Sequence, residues 1–262
     1  MSSPVALVTG ASSGIGRAVA SMLCKEGLDL AICARRENEL DELAVQLRDL
    51  HGRDVMVRKV DLVDLNDVAT IVPEVLDHFG RLDVLINNAG LLEKSRLSDM
   101  PMGFIQRAMA VHAIAPAILV REAWAALAEA DRGVVINVSS VSTLSPFPGM
   151  AAYGMSKHAI EGLTRSIHAE AMDTGNGVVS FALAPGAVDT AALRSALEGA
   201  EAPGNAIVPM EEVTALFLAC IRGEYDQNAG GVVYIPAPGL VTADAEEALA
   251  ALEACWGGAS GG

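Results

Sequence analysis

The chain has 262 residues, with 33 acidic against 18 basic side chains, 52% apolar residues and 4% aromatic ones. That apolar share excludes a disordered chain, and a formal charge of −15 argues against a protein that gathers nucleic acid or an anionic membrane surface by a basic field. Cys24, Cys33, Cys220 and Cys255 show no C-x-x-C spacing and read as buried thiols of a cytoplasmic protein rather than as a disulfide framework.

In chain order, Val5 to Thr9 reads as the first strand, where a signal peptide would need its basic and apolar regions. Thr9-Gly10-Ala11-Ser12-Ser13-Gly14-Ile15-Gly16 follows it directly and opens a helix. Glycines at such a turn let the backbone approach a pyrophosphate, whose charge is held by the free N–H groups of the helix start. That helix begins near Gly14, faces Val19, Met22 and Leu23 inward and stops before Gly27. The second strand, Asp29 to Ala34, leads into Arg35-Arg36 with no carboxylate until Glu37. An acid there would hydrogen-bond the adenosine ribose of NAD, whereas arginine favours the additional phosphate of NADP. NADP (NADPH) is therefore the expected cofactor, resting mainly on Arg35, with NAD possible. The next helix shows Leu40, Leu43 and Leu47 at helical spacing behind Glu37 and Glu39, which suit the positive end of its dipole.

Val55 to Asp61 and Val84 to Asn87 are the third and fourth strands. The most apolar long stretch, Ala108 to Val120, contains His112 and Pro116 and is too short for a bilayer span. Val134 to Val138 is the fifth strand, with Ser140 just beyond it. Tyr153 and Lys157, four apart in a helix, share one face. An ammonium beside a phenol favours the phenolate, so Tyr153 is expected to act as general base in alcohol oxidation or general acid in carbonyl reduction. The Ser140 hydroxyl would stabilise charge developing on the reacting oxygen. Val178 to Ala184 and Val232 to Ile235 complete seven strands, several of them apolar at nearly every position, as strands buried on both faces of a parallel sheet are. The expected fold is α/β, a single doubly wound Rossmann-type domain with a seven-stranded parallel sheet. Residues 1–241 would form the dinucleotide-binding and catalytic domain, and 242–262 a C-terminal helical extension and flexible tail. In that extension Thr242 to Trp256 is an acidic helical pattern with Ala245, Leu249, Leu252 and Trp256 in one stripe, and Gly257 to Gly262 is the tail.

Thr9-Gly10-x-x-x-Gly14-x-Gly16, Asn87-Asn88-Ala89-Gly90, Ser140, Tyr153-x-x-x-Lys157 and Pro185-Gly186-x-Val188-x-Thr190 occur in the order and spacing of the short-chain dehydrogenase/reductase family, which the chain resembles from about Val5 to Ile235. The resemblance implies a catalytic group of Ser140, Tyr153 and Lys157, the lysine also binding the nicotinamide ribose. It implies a cofactor bed made by Gly10, Ser12, Ser13, Gly14, Ile15, Gly16, Arg35 and Arg36. Asp61 would contact the adenine, Leu62, Asn88, Ala89, Gly90, Pro185 and Gly186 would lie along the cofactor, and Val188 and Thr190 at the carboxamide. Substrate contacts would come from Leu91 to Leu97, Val141 to Met150 and Ala187 to Pro209, the last a mobile lid with Gly199, Pro203 and Gly204. The helices Ala108 to Ala130 and Tyr153 to Met172 would form the interface of a homodimer or homotetramer.

Three residues depart from the family pattern. His112 stands where the family carries an asparagine thought to hold a water that passes protons to the lysine. A histidine there either rewires that relay as a fourth catalytic residue or is a packed core side chain, and His112→Asn is expected to keep or raise turnover. Thr143 and Phe181 replace a common glycine and asparagine and are expected to reshape the substrate side. None of the five histidines forms an H-E-x-x-H pair, so no metal site is expected. The expected function is an NADP-dependent oxidoreductase interconverting a carbonyl and a secondary alcohol, with a moderately hydrophobic small-molecule carbonyl or alcohol as partner and neither nucleic acid nor membrane. A catalytically weakened NADP(H)-binding regulatory protein is the alternative, and His112 is its support.

Overall fold

The structure is a computed structural model that describes residues 3–197 and 202–256. Gly199 of the expected lid and the tail Gly257 to Gly262 lie outside the described residues. The strands are β1 (Val5–Thr9), β2 (Asp29–Ala34), β3 (Val55–Lys59), β4 (Val84–Asn87), β5 (Val134–Val138), β6 (Val179–Pro185), β7 (Ala187–Val188), β8 (Ile207–Val208), β9 (Val232–Ala237) and β10 (Leu240–Thr242). The helices are α1 (Gly14–Lys25), α2 (Glu37–His51), α3 (Leu65–Phe79), α4 (Met102–Met109), α5 (Ala115–Glu129), α6 (Ala151–Thr174), α7 (Ala191–Ala196), α8 (Met210–Ile221) and α9 (Ala245–Trp256).

Among the described residues the central sheet has eight strands in the order β10-β9-β6-β5-β4-β1-β2-β3, one more than the sequence suggests. The seven expected strands are present and parallel, and the eighth, β10, folds back antiparallel on β9 at the edge. A three-residue strand shows no periodicity of its own, which is why it is silent in the sequence. The short strands β7 and β8 pair with each other outside the main sheet. All residues of β1, β4 and β5 are buried, as strands covered on both faces must be.

Alternate strand residues point to opposite layers. Ala6 and Val8 pack with Val19 and Leu23 of α1, Leu40 and Leu43 of α2 and Phe217 of α8. Val5 and Leu7 pack on the other face with Val68 and Ile71 of α3, Leu119 and Ala123 of α5 and Ile167 of α6. The helical run Met102–Glu129 is long and apolar enough to cross a bilayer. Its apolarity is accounted for by packing, since Ala115, Leu119, Ala123 and Leu127 are fully buried against the sheet. This run is interrupted by a π-turn at Ala110–Ile114, where the N–H of Ala115 bonds back to the carbonyl of Ala110. Pro116 offers no N–H to the carbonyl of His112 four residues earlier, so a regular turn cannot continue there.

The C-terminal helix starts at Ala245 rather than Thr242, because Thr242 closes β10 and the Asp244 carboxylate caps the N–H groups of Glu246 and Glu247. Its buried stripe is Ala248 and Leu252, packed over β9, while Ala245 is exposed. The order of strand addition reverses between the parallel neighbours β1 and β4, and the crevice above their carboxyl ends is where such folds hold ligands.

Candidate active site

At the end of β1 the Thr9 hydroxyl accepts the N–H groups of Asn88 and Ala89, each at 3.0 Å. The Asn88 amide in turn donates to the carbonyl of Thr9 at 2.8 Å, so the glycine loop and the end of β4 are fastened together. Two glycines are required by that closeness. A Cβ on Gly16 would lie 2.3 Å from Asn88 Nδ2, and one on Gly10, at φ +70°, would lie 2.7 Å from Ala89 Cα. These glycines thus serve the approach of loop to strand, and the anion-binding quality of the site comes from α1 itself. Its first turn contains no acidic residue and its N-terminal N–H groups receive no side-chain cap, which suits a pyrophosphate at the positive end of the helix. The residues present therefore fit a dinucleotide.

Both arginines after β2 line this end of the cleft, and they do different things. Arg36 Nη2 donates to the hydroxyls of Ser12 at 2.9 Å and Ser13 at 2.6 Å, laying its guanidinium across the loop. The expectation centred on Arg35; the geometry brings Arg36 to the loop. Asp61 Oδ1 accepts the N–H of Val63 at 3.1 Å, an ordinary turn cap, while Asp61 and Leu62 also line the cleft beside Val60.

The other end of the cleft holds Ser140, Tyr153 and Lys157 together, as expected. Ser140 follows β5, its Oγ accepts the N–H of Ser142 at 3.2 Å, and its influence on the Tyr153 hydroxyl is to lower that group's pKa. Lys157 Nζ donates to the carbonyl of Val138 at 2.7 Å and lies 5.4 Å from the centre of the Tyr153 ring. Here the expected electrostatics need correcting. Burial raises the pKa of Tyr153, and the influence that lowers it is the hydrogen bond to Ser140. The ammonium donates to a backbone carbonyl and lies over the face of the tyrosine ring. Burial pushes Lys157 itself down to about 8, with the Glu161 carboxylate opposing that shift. Glu161 is buried one turn further along α6 and accepts a 2.6 Å hydrogen bond from the Ser139 hydroxyl.

His112, 2% exposed, sits in the π-turn beneath the Gly90–Leu91 backbone. Its Nε2 is 3.0 Å from the Leu91 N, its Nδ1 is 2.7 Å from Ser156 Oγ, and its ring meets the Tyr153 ring edge-on at 5.5 Å. Burial and the Lys157 charge hold its pKa well below the ordinary value. Thr143 and Phe181 do not shape the substrate side: the Thr143 hydroxyl donates to the carbonyl of Ser140, and Phe181 is fully buried in the core under the sheet.

The cleft encloses about 1040 Å³, more than a single small ligand needs, so a dinucleotide and a second small molecule can share it. Gly10, Ser12, Ser13, Gly14, Ile15, Arg35, Arg36, Asn88, Ala89, Gly90, Pro185, Gly186, Val188 and Thr190 line it, whereas Gly16 acts from behind the loop. Leu91, Leu92, Phe147 and Met150 form apolar wall, and Ser95 N bonds to the carbonyl of Gly149 at 2.9 Å, tying two substrate-side loops together. Trp256, from the end of α9, joins this wall with its ring 6.4 Å from that of Phe147. In the sequence Trp256 reads only as the last residue of an acidic helical stripe, which carries no sign of the cleft it reaches.

A family model described as short chain dehydrogenase matches residues 4–201. A short chain dehydrogenase of Pseudocercospora fijiensis is 37% identical over 187 residues, 71% of this chain and 60% of the relative, so the match spans less than two thirds of that protein. An uncharacterized oxidoreductase of Bacillus subtilis, YxjF, is 32% identical over 213 residues, covering 81% of each chain. Among solved structures, L-sorbose reductase from Gluconobacter frateurii complexed with NADPH and L-sorbose aligns with a TM-score of 0.83 at 22% identity, over 91% of this chain and 97% of that one. The alcohol dehydrogenase of Thermococcus sibiricus complexed with 5-hydroxy-NADP gives a TM-score of 0.75 at 26% identity, over 84% and 90%. Actinorhodin polyketide ketoreductase with NADPH gives 0.82 at 25%, over 90% and 98%.

Proposed function

The chain belongs to the short-chain dehydrogenase family and is an oxidoreductase acting on CH–OH groups, and from that premise we propose that it interconverts a carbonyl and a secondary alcohol with NADP(H), Tyr153 moving the proton. The observation that carries this reading is the meeting, in one cleft, of Ser140, Tyr153 and Lys157 with the α1 N-terminus and Arg36. A bound nicotinamide would supply or accept the hydride. The chain's own residues do the rest. The Ser140 and Tyr153 hydroxyls, which line the same end of the cleft, converge on the position of the reacting oxygen and stabilise its charge. A raised pKa keeps the Tyr153 proton in place near neutrality, which suits it to donate in the reductive direction. Lys157, held by Val138, supports the tyrosine ring from one face and offers its ammonium to a cofactor ribose.

Preference for NADP over NAD is supported by Arg36 on the Ser12 and Ser13 hydroxyls, by Arg35 beside it, and by the NADP-type ligands in the Thermococcus sibiricus and actinorhodin enzymes. The substrate is a moderately hydrophobic ketone, aldehyde or secondary alcohol, in keeping with Leu91, Leu92, Phe147, Met150 and Trp256 on the wall. A cytoplasmic homodimer or homotetramer completes the proposal, supported by three buried free cysteines and by exposed Ile114, Met155 and Met172 on the helices expected to pair.

The test is Tyr153→Phe assayed over a panel of ketones with NADPH. Turnover is expected to fall below detection while NADPH binding, followed by its fluorescence, stays within about twofold, because the phenol oxygen acts in proton transfer. Wild-type turnover in the variant would overturn the assignment. Binding of NADPH by the wild type with no oxidation across the panel would favour the regulatory alternative.

A further inference from the structure

The Leu91 N–H points at His112 Nε2, 3.0 Å away, so that nitrogen must carry the lone pair. A neutral imidazole then bears its only proton on Nδ1, and Nδ1–H donates to Ser156 Oγ at 2.7 Å. The Ser156 hydroxyl donates onward to the carbonyl of Tyr153 at 2.7 Å. Every donor in this chain has one acceptor, and the direction is set from end to end. An imidazolium cannot occupy the site without losing the Leu91 bond, and a ring protonated only at Nε2 would lose that bond and draw the Ser156 proton away from the Tyr153 carbonyl. The ring edge also props the Tyr153 ring at 5.5 Å with an interplanar angle of 89°.

We infer that His112 is a positioning residue, a strut that couples the Gly90–Leu91 side of the cofactor cleft to the turn of α6 bearing Tyr153, and that it passes no proton during turnover. This rests on the proposed role of Tyr153. The strut joins residues far apart in sequence: His112 and Leu91 are separated by 21 positions, and His112 and Ser156 by 44. Its near-complete burial makes both hydrogen bonds costly to leave unmade.

The first experiment needs no turnover. Nitrogen NMR of the protein with ¹⁵N-labelled histidine is expected to show His112 protonated at Nδ1 and bare at Nε2 near neutral pH. A proton on Nε2, or on both nitrogens, overturns the inference. The second experiment compares variants on a carbonyl that the wild type reduces. His112→Ala and Ser156→Ala are each expected to lower kcat about tenfold to a hundredfold, since small misplacement of a reacting group is that costly. NADPH affinity should hold, and the double variant should fall no further than either single one. His112→Gln, which offers one acceptor and one donor, should recover most of the lost kcat. Melting temperatures of all variants keep loss of fold apart from loss of position. No recovery in His112→Gln, or additive losses in the double variant, would mean that His112 and Ser156 do not act as one hydrogen-bonded unit and would overturn the strut. If the wild type reduces no carbonyl, the proposed function fails while the NMR result still decides the geometry.

Discussion

At Lys157 a buried ammonium and a backbone carbonyl share one short hydrogen bond, and the balance has a pH signature. Burial brings the folded-state pKa down to about 8 from an ordinary value of 10.5. Below about pH 8 both folded and unfolded chains hold the proton and the full cost of burying it is present. Between about 8 and 10.5 the unfolded chain holds a proton that the folded one has released, so this residue's contribution to stability rises with pH, by up to roughly 3 kcal/mol. Urea unfolding of wild type and Lys157→Met should show wild type gaining on the variant from pH 8 to pH 10, and no gain over that interval would mean the ammonium is well solvated. Arg36 gives a second prediction at this scale. Arg36→Ala should weaken NADPH relative to NADH at least as much as Arg35→Ala, by about 1.5 to 3 kcal/mol for a charge-assisted hydrogen bond. Titration of both cofactors into each variant measures it, and an effect confined to Arg35→Ala would return the selection to that residue. The pair Arg35-Arg36 is plain in the sequence, but which guanidinium lies on the loop depends on the path of the backbone leaving β2.

Helix α9 shows how an element outside the matched residues 4–201 completes the site. Asp244 starts it, Ala248 and Leu252 seat it over β9, and Trp256 arrives at the cleft beside Phe147, while Cys255 Sγ donates to the carbonyl of Asn205. Trp256→Ala should raise KM for bulky aromatic ketones about tenfold, the order expected for one lost aromatic contact with its burial. Small ketones and NADPH should be unaffected, and steady-state kinetics over a size series checks this; equal effects on all substrates would make Trp256 a structural seat only. The helical run Met102–Glu129 teaches the same lesson in reverse. Its amphipathic length was legible, but the π-turn that turns His112 toward Leu91 and Ser156 follows from packing against α6 together with the missing N–H of Pro116.

Across the whole molecule, a formal charge of −15 surrounds a cleft lined by Arg35, Arg36, Lys94, Arg96 and Lys157, with Asp61 as its acidic lining residue. That distribution draws an anionic dinucleotide inward while copies of the chain repel one another at low ionic strength. Sedimentation should accordingly show a homodimer or homotetramer that strengthens with added salt, and Met155→Arg, which places charge on an exposed apolar spot of α6, should loosen it. A monomer at micromolar concentration in moderate salt would refute the assembly. The order of strands and helices, the glycine turn, the pairing of Tyr153 with Lys157 and the serine after β5 were all determined by the sequence itself, because each is written in spacings of a few residues that helix and strand periodicity translate directly. The tertiary structure alone decided the antiparallel β10, the choice of Arg36 for the loop, the arrival of Trp256, the upward shift of Tyr153 and the two bonds of His112. Strand β10 is too short to carry a periodicity, and each of the others depends on desolvation or on contacts between residues 21 to 109 positions apart, whose distance and intervening solvent no local pattern encodes.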